Sequence, residues 1–271
     1  MIRPRSAEPT AGDGGCFGSR TTTGTDGLAS PRRVMMGDCI IVMRHIGPTS
    51  DSCRVGALSG SVKRIIEQAK VFAEAFASMP HPDLLGVTDG KAVGTYIELA
   101  FKKSLSDIGI IEATEGNAAK GIDLPSFNTD LKVTSLKQPQ SSSPFASFKQ
   151  KIEGLGYDLI VFVYVKNDTE GVCNVRFEAV RHVPARLTAD FQTTKGLRRL
   201  IVDEGANVDD VFAFLVEKNI PADEASLYDY AEHLLKHPPE QGYLTISNAL
   251  QWRLQYSRVV AGGIPGVLEI V

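Results

Sequence analysis

The chain has 271 residues and a formal net charge of −3, with 43% hydrophobic and 23% charged residues. This composition is that of a globular protein large enough to bury a sizeable core. Because it has no run of eighteen apolar residues and no amino-terminal apolar segment, we expect neither a membrane span nor secretion, and a cytoplasmic location. The four cysteines are scattered without zinc-ligand spacing, so we expect reduced thiols.

The amino-terminal stretch differs from the rest of the chain in composition. Residues 1–34 are rich in Gly, Thr, Ser, Pro and Arg and contain few large apolar side chains, so we expect a disordered tail. Met35 and Met36 follow this tail and offer alternative start positions. We expect a core domain over residues 35–186 and a mainly helical carboxy-terminal region over residues 187–271.

Two amphipathic helices are predicted in the first half of the chain. Residues 61–79 show apolar side chains at helical spacing, and residues 91–105 place Val93, Ile97 and Phe101 four residues apart. Each helix should therefore bury one stripe of side chains.

A hairpin is predicted after the second helix. Residues 121–124 and 129–135 have the pattern of short strands and are joined by the turn-like sequence Pro-Ser-Phe-Asn. A loop over residues 138–144, rich in Ser, Pro and Gln, then leads into a short helix over residues 145–155.

The most apolar part of the chain follows that helix. Residues 159–165 form a near-continuous apolar run, which indicates a strand covered on both faces, and residues 172–180 indicate its neighbour. With the helices, these strands predict an α/β (α+β) fold that has a central mixed β-sheet flanked by helices.

Two carboxylates and one ammonium group should meet on the predicted hairpin. Side chains alternate between the faces of a strand, so Asp130 and Lys132 point one way while Leu131 and Val133 enter the core. Asp123 lies on the preceding strand and can meet Asp130 across the pair. Mg²⁺ binds through one or two carboxylates with phosphate oxygens and water, so this hairpin predicts a Mg²⁺ site with Lys132 beside the water.

Glu98 adds a third carboxylate, on the second helix. It shares a helix face with Lys91 and Gly94 and lies at the border of the buried stripe. A carboxylate in that position needs a cationic partner, and a metal ion or Lys132 would serve.

These residues form one spaced pattern, Lys91-x-x-Gly94-x-x-x-Glu98 followed by Asp123, six residues and Asp130-x-Lys132. The pattern resembles the PD-(D/E)xK nucleases and is most similar to the MutH/Sau3A-type branch, which includes type II restriction endonucleases. The resemblance covers roughly the middle third of the chain and implies a restriction-endonuclease-like core. It implies that Asp123 and Asp130 bind Mg²⁺ and that Lys132 and Glu98 are catalytic with them. Ile122 replaces the family's Pro, and Asp130 replaces the more usual Glu.

The segment 245–258 has the pattern of a helix in which Ile246, Leu250 and Leu254 are buried. Its other face carries side chains that can contact purine edges, and with the helix-like segment 226–236 it indicates a helix-turn-helix-like DNA reader. The predicted DNA-binding residues are Ser247, Asn248, Gln251, Gln255 and Arg258. An ordinary amphipathic surface helix explains the same pattern.

A second basic cluster can contact backbone phosphates. Its members are Arg181, His182, Arg186, Lys195, Arg198 and Arg199. A solvated face that pairs with the acidic stretch 203–210 explains the cluster equally well.

The combined pattern favours a type II restriction endonuclease that hydrolyses double-stranded DNA with Mg²⁺ and leaves 5′-phosphates, as the resembling family does. A palindromic site would predict a two-fold homodimer, and a cognate DNA methyltransferase should protect host DNA. Two alternatives stay open. One is a MutH-like repair nicking endonuclease, and the other is a DNA-binding regulatory protein with a degenerate nuclease core.

Overall fold

The structure is a computed structural model that describes residues 60–112, 121–247 and 252–271. The tail predicted over residues 1–34 lies outside these residues. Among the described helices, none has the length and apolar character that crossing a membrane requires.

Helices and strands alternate irregularly along the described chain. The α-helices are α1 (Gly60–Ala77), α2 (Gly90–Asp107), α3 (Gln150–Glu153), α4 (Phe191–Arg198), α5 (Val208–Glu217), α6 (Glu224–Lys236) and α7 (Ser257–Ala261). The strands are β1 (Thr129–Ser135), β2 (Gln140–Ser143), β3 (Asp158–Thr169), β4 (Val172–Val183), β5 (Thr245–Ser247), β6 (Trp252–Gln255) and β7 (Leu268–Glu269). Short 3₁₀ turns occur at Pro82–Leu84, Pro125–Phe127 and Ala185–Leu187, and a π-helical turn occurs at Arg199–Asp203.

Strand β3 lies inside the larger sheet, whose strand order is β1-β3-β4-β7. Strand β1 runs parallel to β3, and the other pairs are antiparallel, which confirms the predicted mixed sheet. Ile160 and Phe162 of β3 pack with residues of α1 and α2, whereas Leu159, Val161 and Val163 pack with residues of a second sheet. The prediction of a strand covered on both faces is therefore confirmed.

Both predicted amino-terminal helices are present, and the predicted stripes are the buried ones. The side chain of Asp89 caps α2 by accepting hydrogen bonds from the first backbone N–H groups of the helix. Phe101 of α2 lies 5.1 Å from Phe72 of α1 and 5.0 Å from Phe162 of β3, between ring centroids. These rings join the two helices to the sheet.

Residues 121–124 do not form the predicted strand. Leu124 makes an isolated bridge to Thr129, and the chain reverses between them through the turn Pro125–Phe127. Asn128 ends this turn in the left-handed conformation, with φ 49°. Proline favours the start of such a turn and asparagine tolerates its left-handed end, so the reversal is too tight for a two-stranded ladder.

The second sheet was not predicted. Its strand order is β2-β6-β5, with antiparallel pairs, and β2 replaces most of the loop expected over residues 138–144. The helix expected over residues 145–155 is reduced to α3. Trp252 and Leu254 of β6 are buried against the larger sheet.

The helix predicted over residues 245–258 is wrong, and with it the helix-turn-helix. Helices α4 to α6 are present, but β5 and β6 follow them and α7 begins only at Ser257. Ile246 and Leu254 are cross-strand partners on β5 and β6, and Trp252 and Leu254 share a buried face at the two-residue spacing of a strand. Pairing of β6 with the distant strand β2 decides in favour of the strand.

Strand pairing also joins the predicted carboxy-terminal region to the predicted core. Strand β6 pairs with β2, and β7 pairs with β4. The division of residues 35–186 and 187–271 by function stays a prediction.

We expect Phe101→Ala to lower the free energy of unfolding by about 3–5 kcal/mol, because it removes a fully buried ring from the contact of α1, α2 and β3. The matched control is Leu99→Ala on the same helix, where the side chain is 62% exposed. The control should change stability by no more than about 0.5 kcal/mol. Urea denaturation measures both values, and equal losses would contradict the core position of Phe101.

Candidate active site

Strand β1 holds Asp130 and Lys132 at the edge of the larger sheet. Asp130 pairs with Leu159 and Lys132 pairs with Val161, and paired residues point to the same face. That face carries the second sheet, whereas Leu131 packs with the helices on the other side. The predicted alternation of β1 is confirmed.

The tight turn before β1 returns Asp123 to Asp130. The backbone N–H of Asp123 donates to Oδ1 of Asp130 at 3.3 Å, and the backbone N–H of Leu131 donates to Oδ2 of Asp123 at 3.1 Å. Nζ of Lys132 lies 2.7 Å from Oδ2 of Asp130. Asp123, Asp130 and Lys132 thus meet as predicted, although a turn and not a strand carries Asp123.

Helix α2 contributes Glu98 and, one turn later, Lys102. Nζ of Lys102 lies 2.5 Å from Oδ1 of Asp123, and both side chains are largely buried. The charge of Glu98 interacts with those of Asp123 and Lys132, which places Glu98 beside the group. Lys102 was not among the predicted site residues, although its spacing of four residues from Glu98 puts both on one face of the helix.

Burial of charge shifts the acid–base behaviour of the site. Burial raises the pKa of Glu98 to about 7, and the negative charge of Asp123 adds to the rise. Burial also raises the pKa of Asp130, which the charge of Lys132 only partly offsets. Burial acts on Asp123 too, but hydrogen bonds from neighbours including Lys102 outweigh it and lower the pKa of Asp123.

Lys132 is held in its charged form. Burial lowers the pKa of Lys132, but the negative charge of Asp130 outweighs burial and the net shift is upward. Three carboxyl groups therefore share two ammonium groups in a largely buried site, and a further cation would stabilise the charged forms of Glu98 and Asp130.

Two tyrosines, Tyr157 and Tyr256, lie near Lys132. The hydroxyl of Tyr256 lies 2.6 Å from that of Ser141, and the hydroxyl of Tyr157 lies 2.7 Å from that of Ser143. Both tyrosines interact electrostatically with Lys132. Their hydroxyl contacts link the surroundings of Lys132 to strand β2 of the second sheet, a connection that no local sequence pattern indicates.

The donor set of the site fits a divalent cation that prefers oxygen ligands. Mg²⁺ is usually bound by one or two carboxylates, with phosphate oxygens and water as its other ligands, and Asp123 with Asp130 supplies that number. Across residues 60–112, 121–247 and 252–271, no three His, Cys, Asp or Glu side chains are grouped to hold a metal ion.

The predicted DNA-binding residues do not lie on one helix. Ser247 is exposed on β5, Gln255 is exposed on β6, and Arg258 lies in α7. Asn248 and Gln251 lie outside the described residues.

Arg258 is engaged within the protein. Its Nη1 donates to Oγ1 of Thr245 at 2.6 Å, and its guanidinium lies 4.2 Å from the ring centroid of Phe191. Arg253 was not among the predicted DNA-binding residues, but its side chain is exposed. The alternation of apolar and polar residues from Trp252 to Tyr256 is the signal that points to it.

The second basic cluster is also largely engaged. Arg186 pairs with Glu240 at 2.9 Å, Arg199 pairs with Glu204 at 3.2 Å, and Arg181 is buried. These contacts favour engagement within the protein over a phosphate-binding surface, although, among these described residues, only Arg199 pairs with the acidic stretch 203–210.

Comparison with known proteins gives one consistent result. Residues 59–269 match the family model described as type II restriction enzyme NspV. The type II restriction enzyme NspV of Nostoc sp. is 48% identical over 214 residues, which cover 78% of this chain and 96% of that protein. No solved structure matches the chain. The region matched by the family model includes all the acidic and lysine side chains of the site.

We expect Lys102→Met to lower the free energy of unfolding by about 1–3 kcal/mol in metal-free buffer, because the largely buried carboxylate of Asp123 loses its cation. The matched control, Lys103→Met, removes the next lysine from an exposed pair with Asp107. That change should cost less than about 0.5 kcal/mol.

The double variant Lys102→Met/Asp123→Asn should recover most of the loss, since neither charge is then buried alone. Chemical denaturation measures all three variants. A cost for Lys103→Met equal to that for Lys102→Met would refute this account of the ion pair.

Proposed function

We propose that this chain, which belongs to the NspV family of type II restriction enzymes, cleaves DNA through a divalent metal ion held by Asp123 and Asp130. Family membership identifies a site-specific deoxyribonuclease that acts on DNA, in place of the repair nickase and the regulatory protein. Type II restriction enzymes generally use a divalent metal ion, and we propose Mg²⁺. The convergence of Asp123, Asp130 and Lys132 at one sheet edge carries the assignment of the site.

The acidic side chains and the lysine of the site have different proposed roles. When bound, Mg²⁺ would neutralise charge at the phosphate and lower the pKa of a water molecule. The carboxylates of Asp123 and Asp130 face one another and can hold the ion between them. The ammonium of Lys132 donates hydrogen bonds to the attacking water and to a phosphate oxygen, where negative charge develops.

Glu98 is proposed as the fourth catalytic residue. Its carboxyl group borders the pair on the α2 side and interacts with Lys132. From there it orients the water or the lysine.

The reaction is an in-line displacement at phosphorus. The oxygen of water forms a bond to phosphorus while the bond from phosphorus to the 3′ oxygen breaks. The attacking water gives up one proton to the solvent and the leaving oxygen takes one up from it, so the products are a 3′-hydroxyl and a 5′-phosphate. Cleavage of both strands follows when each strand meets one such site.

Two partners follow from this activity. A palindromic target would be met by a two-fold homodimer, since the symmetry of the protein then matches that of the site. A DNA methyltransferase that modifies the same sequence would protect the DNA of the host. We place both proteins in the cytoplasm, where foreign DNA meets the enzyme.

Lys132→Ala should lower the rate of plasmid cleavage by at least about a hundredfold, because it removes a donor from the developing negative charge. Binding to the same DNA should stay measurable. Asp130→Asn should also stop cleavage while it keeps the shape of the buried side chain. Gel analysis measures the cleavage rate and fluorescence anisotropy the binding.

Lys103→Ala, on the exposed side of α2, serves as the control and should cut at the normal rate. Cleavage by Lys132→Ala at the rate of the control would remove Lys132 from the proposed machinery.

Removal of divalent metal ions with a chelator should stop cleavage completely, and added Mg²⁺ should restore it. The reason is that two buried carboxylates alone repel the phosphate that they must approach. Discrete plasmid fragments that persist in excess chelator would contradict a metal-dependent site.

A further inference from the structure

The second sheet has one polar and one apolar face. Along β6, Trp252 and Leu254 are buried, whereas Arg253 and Gln255 are exposed. The buried pair packs on the larger sheet, so the exposed pair points away from it. The outer face of this sheet is thus exposed at Arg253, Gln255 and Ser247.

Cross-strand pairing gathers polar side chains on that outer face. Arg253 is paired with Ser142 of β2 on one side and Ser247 of β5 on the other. Gln255 lies in the next row, paired with Gln140 and Thr245. The side chains of both rows can donate or accept hydrogen bonds.

The side chains of Arg253 and Gln255 make no polar contact with other described residues of the protein. Among the residues that the structure describes, neither side chain takes part in a hydrogen bond or an ion pair. Arg176 and Arg199, which are also exposed, each pair with a glutamate, and Arg258 is bonded to Thr245. An unpaired guanidinium in a polar sheet face is complementary to an electronegative partner.

The outer face is coupled to the active site through the strand that carries it. Tyr256 directly follows Gln255, is fully buried, and contacts Ser141 of β2. The same tyrosine interacts with Lys132. Strand β2 itself follows β1, which carries the lysine, after a short turn.

We propose that the outer face of the β5–β6 ribbon enters the major groove of the target DNA, where Arg253 and Gln255 contact base edges. The proposal rests on the DNA-cleaving activity of the family and not on the identity of the catalytic residues. A two-stranded ribbon fits the major groove, which is about 12 Å wide. The two side chains are about 6.8 Å apart along the strand, which matches two base-pair steps of about 3.4 Å.

The chemistry of the two side chains assigns a base to each. Arginine makes paired hydrogen bonds to the O6 and N7 atoms of guanine, and glutamine makes them to N6 and N7 of adenine. Arg253 therefore selects a guanine, and Gln255 selects an adenine two steps away. Ser247, beside Arg253, can contact the same base pairs or the adjacent phosphate.

The test compares binding to two DNA fragments, one that the wild-type enzyme cuts and one without the cut sequence. Fluorescence anisotropy is measured with Ca²⁺ in place of Mg²⁺, so that the DNA stays intact. Arg253→Ala should reduce the preference for the cut sequence about 5- to 150-fold, the equivalent of 1–3 kcal/mol for one lost base contact. Gln255→Ala should reduce it within the same range.

Two further variants make the result specific. Arg64→Ala removes an exposed arginine from α1, which packs on the opposite face of the larger sheet, and should leave the preference unchanged. Arg253→Lys keeps the charge but loses the planar fork, so it should retain binding to the uncut fragment and lose preference. Circular dichroism confirms that each variant is folded.

An unchanged preference in both Arg253→Ala and Gln255→Ala would overturn the proposal. So would a parallel loss of affinity for both fragments, because it would mark contacts to phosphate only. Neither result depends on Lys132→Ala, whose cleavage assay tests the catalytic site separately.

Discussion

Strand β3 is buried on both faces, and this double burial determines the position of nearly every other part of the molecule. The even-numbered side chains Ile160 and Phe162 pack against α1 and α2, and the odd-numbered side chains from Leu159 to Val163 pack against the second sheet. A shift of one residue would exchange the two sets and place each against the wrong layer. Because β1 pairs with β3 in this fixed register, Asp130 and Lys132 take the face of the second sheet at an open edge.

The same register places charged groups where water is scarce. Lys132 is 14% exposed and Asp130 4% exposed at the side chain, so each relies on the other for charge compensation. Lys102 does the same for Asp123. A site with more carboxyl groups than ammonium groups is stabilised by a further positive charge, which a bound metal ion can supply. Folding alone thus leaves the site incomplete.

The sequence alone predicted the elements whose burial pattern depends on neighbouring residues. The stripes of α1 and α2, the alternation at Asp130 and Lys132 and the apolar run of β3 can all be read from neighbouring residues. The segment around β6 misled because spacings of four residues satisfy both helical and extended periods, and Trp252 and Tyr256 were the discriminating positions. The contacts of Lys102 with Asp123 and of Tyr256 with Ser141 depend on tertiary folding, so no window of sequence contains them.

The contact between Ser141 and Tyr256 spans 115 residues of chain. A ribosome that adds about 5–20 residues per second needs roughly 6–23 s to make that stretch. Throughout this interval β1 has already been synthesised, while β6 and the tyrosine beside Lys132 do not yet exist. A nascent or prematurely terminated chain therefore carries the acidic residues and the lysine without the sheet that supports them. The sheet behind the site is therefore completed only when almost the whole chain has been synthesised.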